Sequence, residues 1–349
     1  MNLGHISRRL TVGSVPVLAT LMAVQPASAL VITPYFTSNL TTQSNAAQIE
    51  AAINYSIGLV DSLIATPGTI GMVFDSSAGS FLGSSQTQDY SLAYGAYTTS
   101  LAAVSAANPT NTVLSSAVAN FASGNTTSAN PTTHAVGSVL IPAADYQLVF
   151  GANVSGCYSS SGSLAISNNV CNGVAQGVVT LSTSYPMNYS TTTAVSGQYT
   201  GVNTILHEID EILGIGGQGS VLNAIASGNS AILGSIGVLD LYRYSAPGVA
   251  SLSTTAPSSY FSANGGATSV VGFNQTAGAD FADWSTNTNV QSARSNAGVA
   301  PGYSLSSPEI TALQAIGYSA SAPVPEPGSV MLFGSALIGL IAVGRRRRA

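Results

Sequence analysis

The stretch Thr204–Gly217, TILHEIDEILGIGG, sets three carboxylates (Glu208, Asp210 and Glu211) within four residues of the segment that reads as the chain's best helix. Val202, Ile205, Leu206, Ile209, Ile212 and Leu213 recur at 3.6-residue spacing and make one apolar face. Gly214, Gly216 and Gly217 follow, as glycines do just past a helix C-terminus. Asn203, His207, Asp210, Glu211 and Gly214 share a polar stripe, with His207 and Glu211 one turn apart. Like charges at that spacing repel, and an exposed helix face normally intersperses lysine among them. This chain of 349 residues has no lysine. Its eight arginines are Arg8, Arg9, Arg243, Arg294 and Arg345 to Arg348. Between Leu30 and Val324 twelve acids therefore face two arginines, a net charge of −10. Three arrangements remain for the acidic helix: full exposure, pairing with Arg243, or a bound metal ion. A nucleic-acid partner requires a basic footprint, so no nucleic-acid binding is expected.

The ends of the chain read as export signals. Arg8 and Arg9 precede an apolar run from Leu10 to Val24, and Ala27-Ser28-Ala29 supplies small residues for cleavage, so residues 1–29 read as a signal peptide removed by signal peptidase. At the other end stands Val324-Pro-Glu-Pro327, then an apolar run from Gly328 to Gly344, then Arg345 to Arg348. The run would be about 25 Å long as a helix, at the short limit for a membrane span. The arginines would hold its end on the cytoplasmic side. This tail, residues 321–349, closely resembles the PEP-CTERM sorting signal. The resemblance implies recognition by an exosortase in a Gram-negative bacterium, a transient inner-membrane intermediate, and a mature protein at the cell surface or in the extracellular matrix. Cys157 and Cys171 both fall in the exported part, where an oxidising compartment favours one disulfide between them. Their spacing is not of the C-x-x-C kind that metal pairs use.

Residues 30–320 show no internal repeat and no clean linker, so one domain is the economical reading. Leu30–Phe36 reads as a strand interrupted by Pro34. A helix follows, with Ile49, Ala52, Ile53, Ile57, Val60 and Ile64 on one face, and then a strand over 68–75. A second helix is expected over Tyr90–Ala107 and a weaker one over 111–122. Strands are expected over 137–154 and 177–184, flanking the cysteine loop. This order suggests an α+β fold.

His207 lies beside the acids at ligand spacing. Zinc accepts imidazole nitrogen and carboxylate oxygen, so His207 and Glu211 read as ligands and Glu208 as the general base. The alternative is a satisfied polar helix in which His207 caps or hydrogen-bonds in the core. HEIDEILGIGG is similar to the H-E-x-x-H-x-x-G helix of zincin metalloproteases, with Glu211 where the second histidine belongs. The ordered set LDLYRYSAPG, YFSANGG, FNQ, DFADW and ITALQAIGY resembles an exported metalloprotease-like family whose members often carry PEP-CTERM tails. That likeness runs from about Leu30 to Tyr318 and includes FLGSS at Phe81 and the Asp89-Tyr90 pair. It implies a single zincin-like (metzincin-like) domain with a mixed sheet and a central active-site helix, a zinc ion and a peptide substrate. The third histidine of the metzincin version would fall at Gly217. Asp240, the first acid after Glu211, is the expected third ligand, with His134 and Asp283 behind it. A His/Glu/Asp set carries two negative charges, which weakens zinc as a Lewis acid and suits manganese or calcium as well.

The leading expectation is an exported metal-dependent peptidase. The second is a non-catalytic matrix or adhesion protein on the same fold, its acidic site structural or vestigial. An ice- or carbohydrate-binding β protein is disfavoured by the central helix.

Overall fold

Ile70–Phe74 is apolar without interruption, and such runs suit a strand covered on both faces. The computed structural model describes residues 30–121, 137–168, 170–191, 193–228, 234–254 and 258–321. The expected signal peptide, the sorting tail and His134 lie outside them. Ile70–Phe74 falls inside the first sheet, which is built from β1 (Leu30–Phe36), β2 (Gly68–Ser77), β3 (Gly83–Thr87) and a later strand, Gly177–Ser182. β1, β2 and Gly177–Ser182 run parallel, and β3 adds antiparallel at the edge. Pro34 does not interrupt β1, because β1 is the opposite edge and needs fewer ladder donors.

The helix α1 (Ala46–Leu63) buries Ile49, Ala52, Ile53, Ile57 and Val60, the face read from the sequence. The next helix, α2 (Tyr94–Ala107), starts four residues later than expected. Asp89–Ala93 is instead a strand, β4, paired antiparallel with β5 (Ser138–Pro142). Sheet pairing there overrides the helical tendency of the flanking residues. Helix α3 (Thr112–Phe121) lies where the weaker helix was expected. The strand expected over 137–154 stops at Pro142, and Ala143–Leu148 forms a short helix, α4. Pro142 has φ near −54° and serves as its N-cap, a geometry that proline presets.

Gly177–Ser182 is β6. Helix α5 (Gly201–Leu213) packs against α1, α4, β3 and β6, and Gly214 ends it at φ +112°, a left-handed value that favours glycine. Two larger sheets and two two-stranded ones follow among the described residues. β7 (Ser235–Gly237) joins β5 and β4, and β8 (Arg243–Ala246), β9 (Val249–Ala250), β10 (Tyr260–Phe261) and β11 (Val271–Gly272) form an antiparallel sheet in the order β9-β8-β10-β11. Helix α6 (Pro308–Ile316) is the last helix among the described residues. The architecture is therefore α+β with several sheets. One apolar cluster reaches from Leu30 to Tyr318, with Ile205, Ile209, Ile212 and Leu213 of α5 inside it. Cys157 and Cys171 are joined in a disulfide beside a short hairpin, Ile166–Ser167 with Val170–Cys171. Among the described residues no helix is long and apolar enough to cross a membrane.

Ile209 is fully buried at the centre of α5. Ile209→Ala is expected to cost about 2–5 kcal/mol, read as a lower urea midpoint at unchanged slope. A loss below about 1 kcal/mol would contradict the central place of α5 in the core.

Candidate functional site

Sequence spacing alone sets His207, Glu208 and Glu211 on one side of α5, and the approach of β3 closes that side into a pocket. Gly83 permits the approach: a Cβ there would lie 2.5 Å from Glu208 Oε1 and 2.7 Å from the Thr204 methyl. The pocket has a volume of about 340 Å³. Its walls include the FLGSS residues Phe81–Ser85, the α5 side chains, and Asp280 and Asp283 from the loop after β11. Four carboxylates and one imidazole thus share one cavity. A larger cavity of about 540 Å³ shares Ala293 with it, is lined by Phe273, Asn274, Trp284 and Arg294 among others, and has no acid in its wall.

His207 Nδ1 lies 3.0 Å from the Val290 carbonyl, which only accepts, so Nδ1 carries a proton and Nε2 faces the pocket. Nε2 is 3.6 Å from Glu211 Oε1 and 3.6 Å from Asp283 Oδ2. One ligand-type atom from each of His207, Glu211 and Asp283 lies within 4.8 Å of the others. Glu211 is held on both oxygens: Ser85 Oγ donates to Oε2 at 2.6 Å and the Gly217 N–H donates to Oε1 at 3.0 Å. Gln291 Nε2 donates to Asp283 Oδ1 at 3.0 Å and sits 3.1 Å from His207 Nε2.

The sequence expectation for the third member is corrected here. Asp240 is not near His207. Its Oδ1 accepts from Ser220 Oγ at 2.5 Å, and its Oδ2 accepts from the Val221 and Gly237 N–H groups at 3.0 and 2.9 Å. Asp240 fastens the turn after α5 to β7, and Asp283, ranked behind it from sequence, takes the place beside His207. The reason lies in the glycines after α5. Gly217, where the zincin resemblance would place a third histidine, offers only its N–H. A Cβ on it would lie 2.7 Å from Glu211 Oε1 and 2.8 Å from Asp280 Oδ2, so the turn leaves that volume to the acids.

Two other expectations are settled by position. Asp210 leaves the polar stripe: it is fully buried on another side of α5 and accepts from Tyr303 Oη at 2.7 Å. Arg243 does not reach the acids. It is buried, donates to the Phe281 and Asn274 carbonyls, and lies 4.4 Å over the Phe273 ring. Among the described residues the ion pairs are both made by His207. Sequence reading missed Gln291, Asp280 and Glu309. Glu309 Oε1 accepts from Trp284 Nε1 at 3.1 Å and from the Gln291 N–H at 2.9 Å, and so anchors the loop that carries Asp283.

Charge crowding moves the proton equilibria. Burial pushes Glu208 well above the usual carboxylate range; Glu211 adds to this and His207 opposes it. Burial likewise raises Asp283 well above its range, against the pull of His207. Asp280 is pushed up to about 6 by burial and then by Glu211. For His207, burial works downward, but Asp283, Glu211 and Glu208 outweigh it and hold the imidazole well above its ordinary value. Glu211 alone is lowered, because His207, Ser85 and the Gly217 N–H outweigh its burial. A proton on Nε2 and the Gln291 amide hydrogen compete for one lone pair. Both answer the same demand for positive charge.

Residues 323–348 match the family model for the PEP-CTERM protein-sorting motif. That motif marks the chain as exported and sorted to the cell surface through exosortase. No curated protein and no solved structure matches the chain, and none of the comparisons supports the zincin-like part of the sequence expectation.

The pKa directions fix a sign for stability. Asp280, Glu208, Asp283 and His207 all bind protons more tightly folded than unfolded, so each favours the fold at low pH and loses that contribution as pH rises through its folded value. Asp61, raised to about 6 mainly by burial, adds to the same limb. Glu211 opposes it: its contribution is present at neutral pH and is lost as pH falls through its lowered value. In EDTA the melting temperature should therefore fall as pH is raised from about 5 to 8, and Asp280→Asn should flatten the part near pH 6. A melting temperature that climbs across that window would contradict the charge account.

Proposed function

We propose that the pocket is a divalent-cation site of a surface-sorted, zincin-like peptidase. His207 Nε2, Glu211 Oε1 and Asp283 Oδ2 would hold the ion, and Glu208 would act as the base. The observation that carries this reading is the convergence of one imidazole and two carboxylates in an open pocket that holds no arginine. The donor set fits the group: zinc takes nitrogen and carboxylate oxygen, and manganese and calcium take oxygen-rich sets. Nδ1–H donation to the Val290 carbonyl is the outer hydrogen bond that fixes a ligating imidazole. When bound, the cation would supply Lewis acidity to polarise a peptide carbonyl.

The protein's own groups supply the rest. Glu208 is buried in the pocket wall beside His207 and Glu211, and its burial holds the carboxyl well above the usual carboxylate range, a direction that favours proton uptake. It would take a proton from the water attacking the carbonyl carbon. It would return that proton to the amide nitrogen as the C–N bond breaks. β3 is the edge strand of its sheet and lines the pocket, and an edge strand is a surface that an extended peptide can extend. This supports a peptide as the substrate class.

A second reading has one observation in its favour. Gln291 already gives Asp283 a hydrogen-bond donor and faces His207 Nε2 with its amide nitrogen, which suits a site kept for structure in a non-catalytic matrix protein. Hydrolysis separates the two. Casein cleavage that EDTA abolishes and a divalent cation restores is expected from the full chain. Glu208→Gln should lower it by about 10²–10⁴-fold without loss of cation binding. Cleavage undiminished in Glu208→Gln, or no EDTA-sensitive cleavage by the wild type, favours the second reading.

A further inference from the structure

Gln291 is wholly buried, yet only one end of its amide is used. Nε2 points at His207 Nε2 (3.1 Å) and Asp283 Oδ1 (3.0 Å), while Oε1 is buried with no donor. A buried carbonyl oxygen without a partner is costly, on the order of 1–3 kcal/mol. Its main chain is fixed on both sides: the N–H donates to Glu309 Oε1, and the carbonyl accepts from the Trp284 N–H at 2.8 Å. Gly216, at φ +68°, makes room for the amide, since a Cβ there would lie 2.1 Å from Gln291 Nε2. The backbone is pinned, the space beside the amide is kept clear, and the amide head is left to turn.

The amide nitrogen brings partial positive charge to an imidazole lone pair and a carboxylate oxygen, the same atoms that a cation would satisfy. With a cation present those atoms no longer need a donor, and the unused amide oxygen becomes the favourable end. We infer that Gln291 is a further ligand of the cation site, its side-chain amide turning over so that Oε1 joins His207, Glu211 and Asp283 on a hard divalent ion of the manganese or calcium class. This rests on the reading of the pocket as a cation site. A fourth protein donor also discriminates between ions. Zinc prefers four ligands, so His207, Glu211, Asp283 and Gln291 would close its sphere as in a structural site. Manganese and calcium take six or more ligands and retain places for water and substrate beside the same four groups. The amide head thus tunes the site toward the ions that leave it open.

The test uses the full chain stripped with EDTA and titrated with manganese, followed by electron paramagnetic resonance, and with zinc and calcium by competition. Gln291→Leu removes the amide at similar size, and Gln291→Glu replaces its oxygen by a charged one. Gln291→Leu is expected to weaken manganese and calcium by about tenfold or more and zinc far less. Gln291→Glu is expected to strengthen manganese and calcium by about tenfold. The Gln291 side-chain amide resonances should also shift on calcium binding in the wild type. If Gln291→Leu is poorly folded in an EDTA melt, Gln291→Glu and the amide resonances decide alone. Affinities unchanged in both variants, with binding still abolished by His207→Ala, would overturn the ligand role of Gln291 and leave the cation site standing. No binding of any of the three ions by the wild type would overturn both.

Discussion

Negative charge buried without a fixed positive partner is the constraint on which the centre of this molecule depends. Burying an ionised carboxylate is costly unless it is paired or protonated, and Glu208, Glu211, Asp280 and Asp283 crowd round a single imidazole. The chain has no lysine, and its one buried arginine among the described residues is spent on carbonyls and the Phe273 ring. The surroundings answer with what is left. Burial holds the Glu208 and Asp283 carboxyls well above their ordinary range, hydroxyl and amide donors turn toward Glu211, and Gln291 turns its nitrogen to Asp283 and His207. Each of these is a substitute for one positive charge, which is the physical argument for a cation at that point.

The fold serves this arrangement through absence of side chains as much as through their presence. Gly83 lets β3 approach Glu208, Gly216 clears space for the Gln291 amide, and Gly217 gives Glu211 an N–H where a side chain would displace it. The far wall comes from a loop fastened at its base by Glu309, in the first turn of α6, to Trp284 and Gln291. The pocket is therefore assembled from β3, α5, the turn after α5 and the 280–292 loop, parts far apart in the chain.

That separation explains what the sequence disclosed and what it did not. Local periodicity located α1, α3 and α5, because each buries a face whose spacing is written in consecutive residues. The same periodicity failed at Asp89–Ala93 and at Ala143–Leu148, where a distant pairing partner and a proline decide the outcome. Within the pocket, His207, Glu208 and Glu211 were legible because one helical turn relates them. Proximity in sequence made Asp240 the obvious third acid, but its oxygens are taken by Ser220, Val221 and Gly237. Asp283 reaches the pocket, and Gln291 reaches His207 and Asp283 behind it, through tertiary contacts that leave no local pattern. The place of Asp283 directly before Trp284, five residues past Gly278, was the one available hint.

The pocket and the sorting tail answer different questions: the tail directs the chain to the cell surface, and the proposed cation site concerns what the chain does there. The most direct test of the central claim is a crystal structure of the protein grown with saturating manganese, with anomalous scattering used to locate the ion. A single strong peak within about 2.0–2.6 Å of His207 Nε2, Glu211 Oε1 and an Asp283 oxygen is the expected result. A pocket with no peak at saturation, or a peak elsewhere on the molecule, would contradict it.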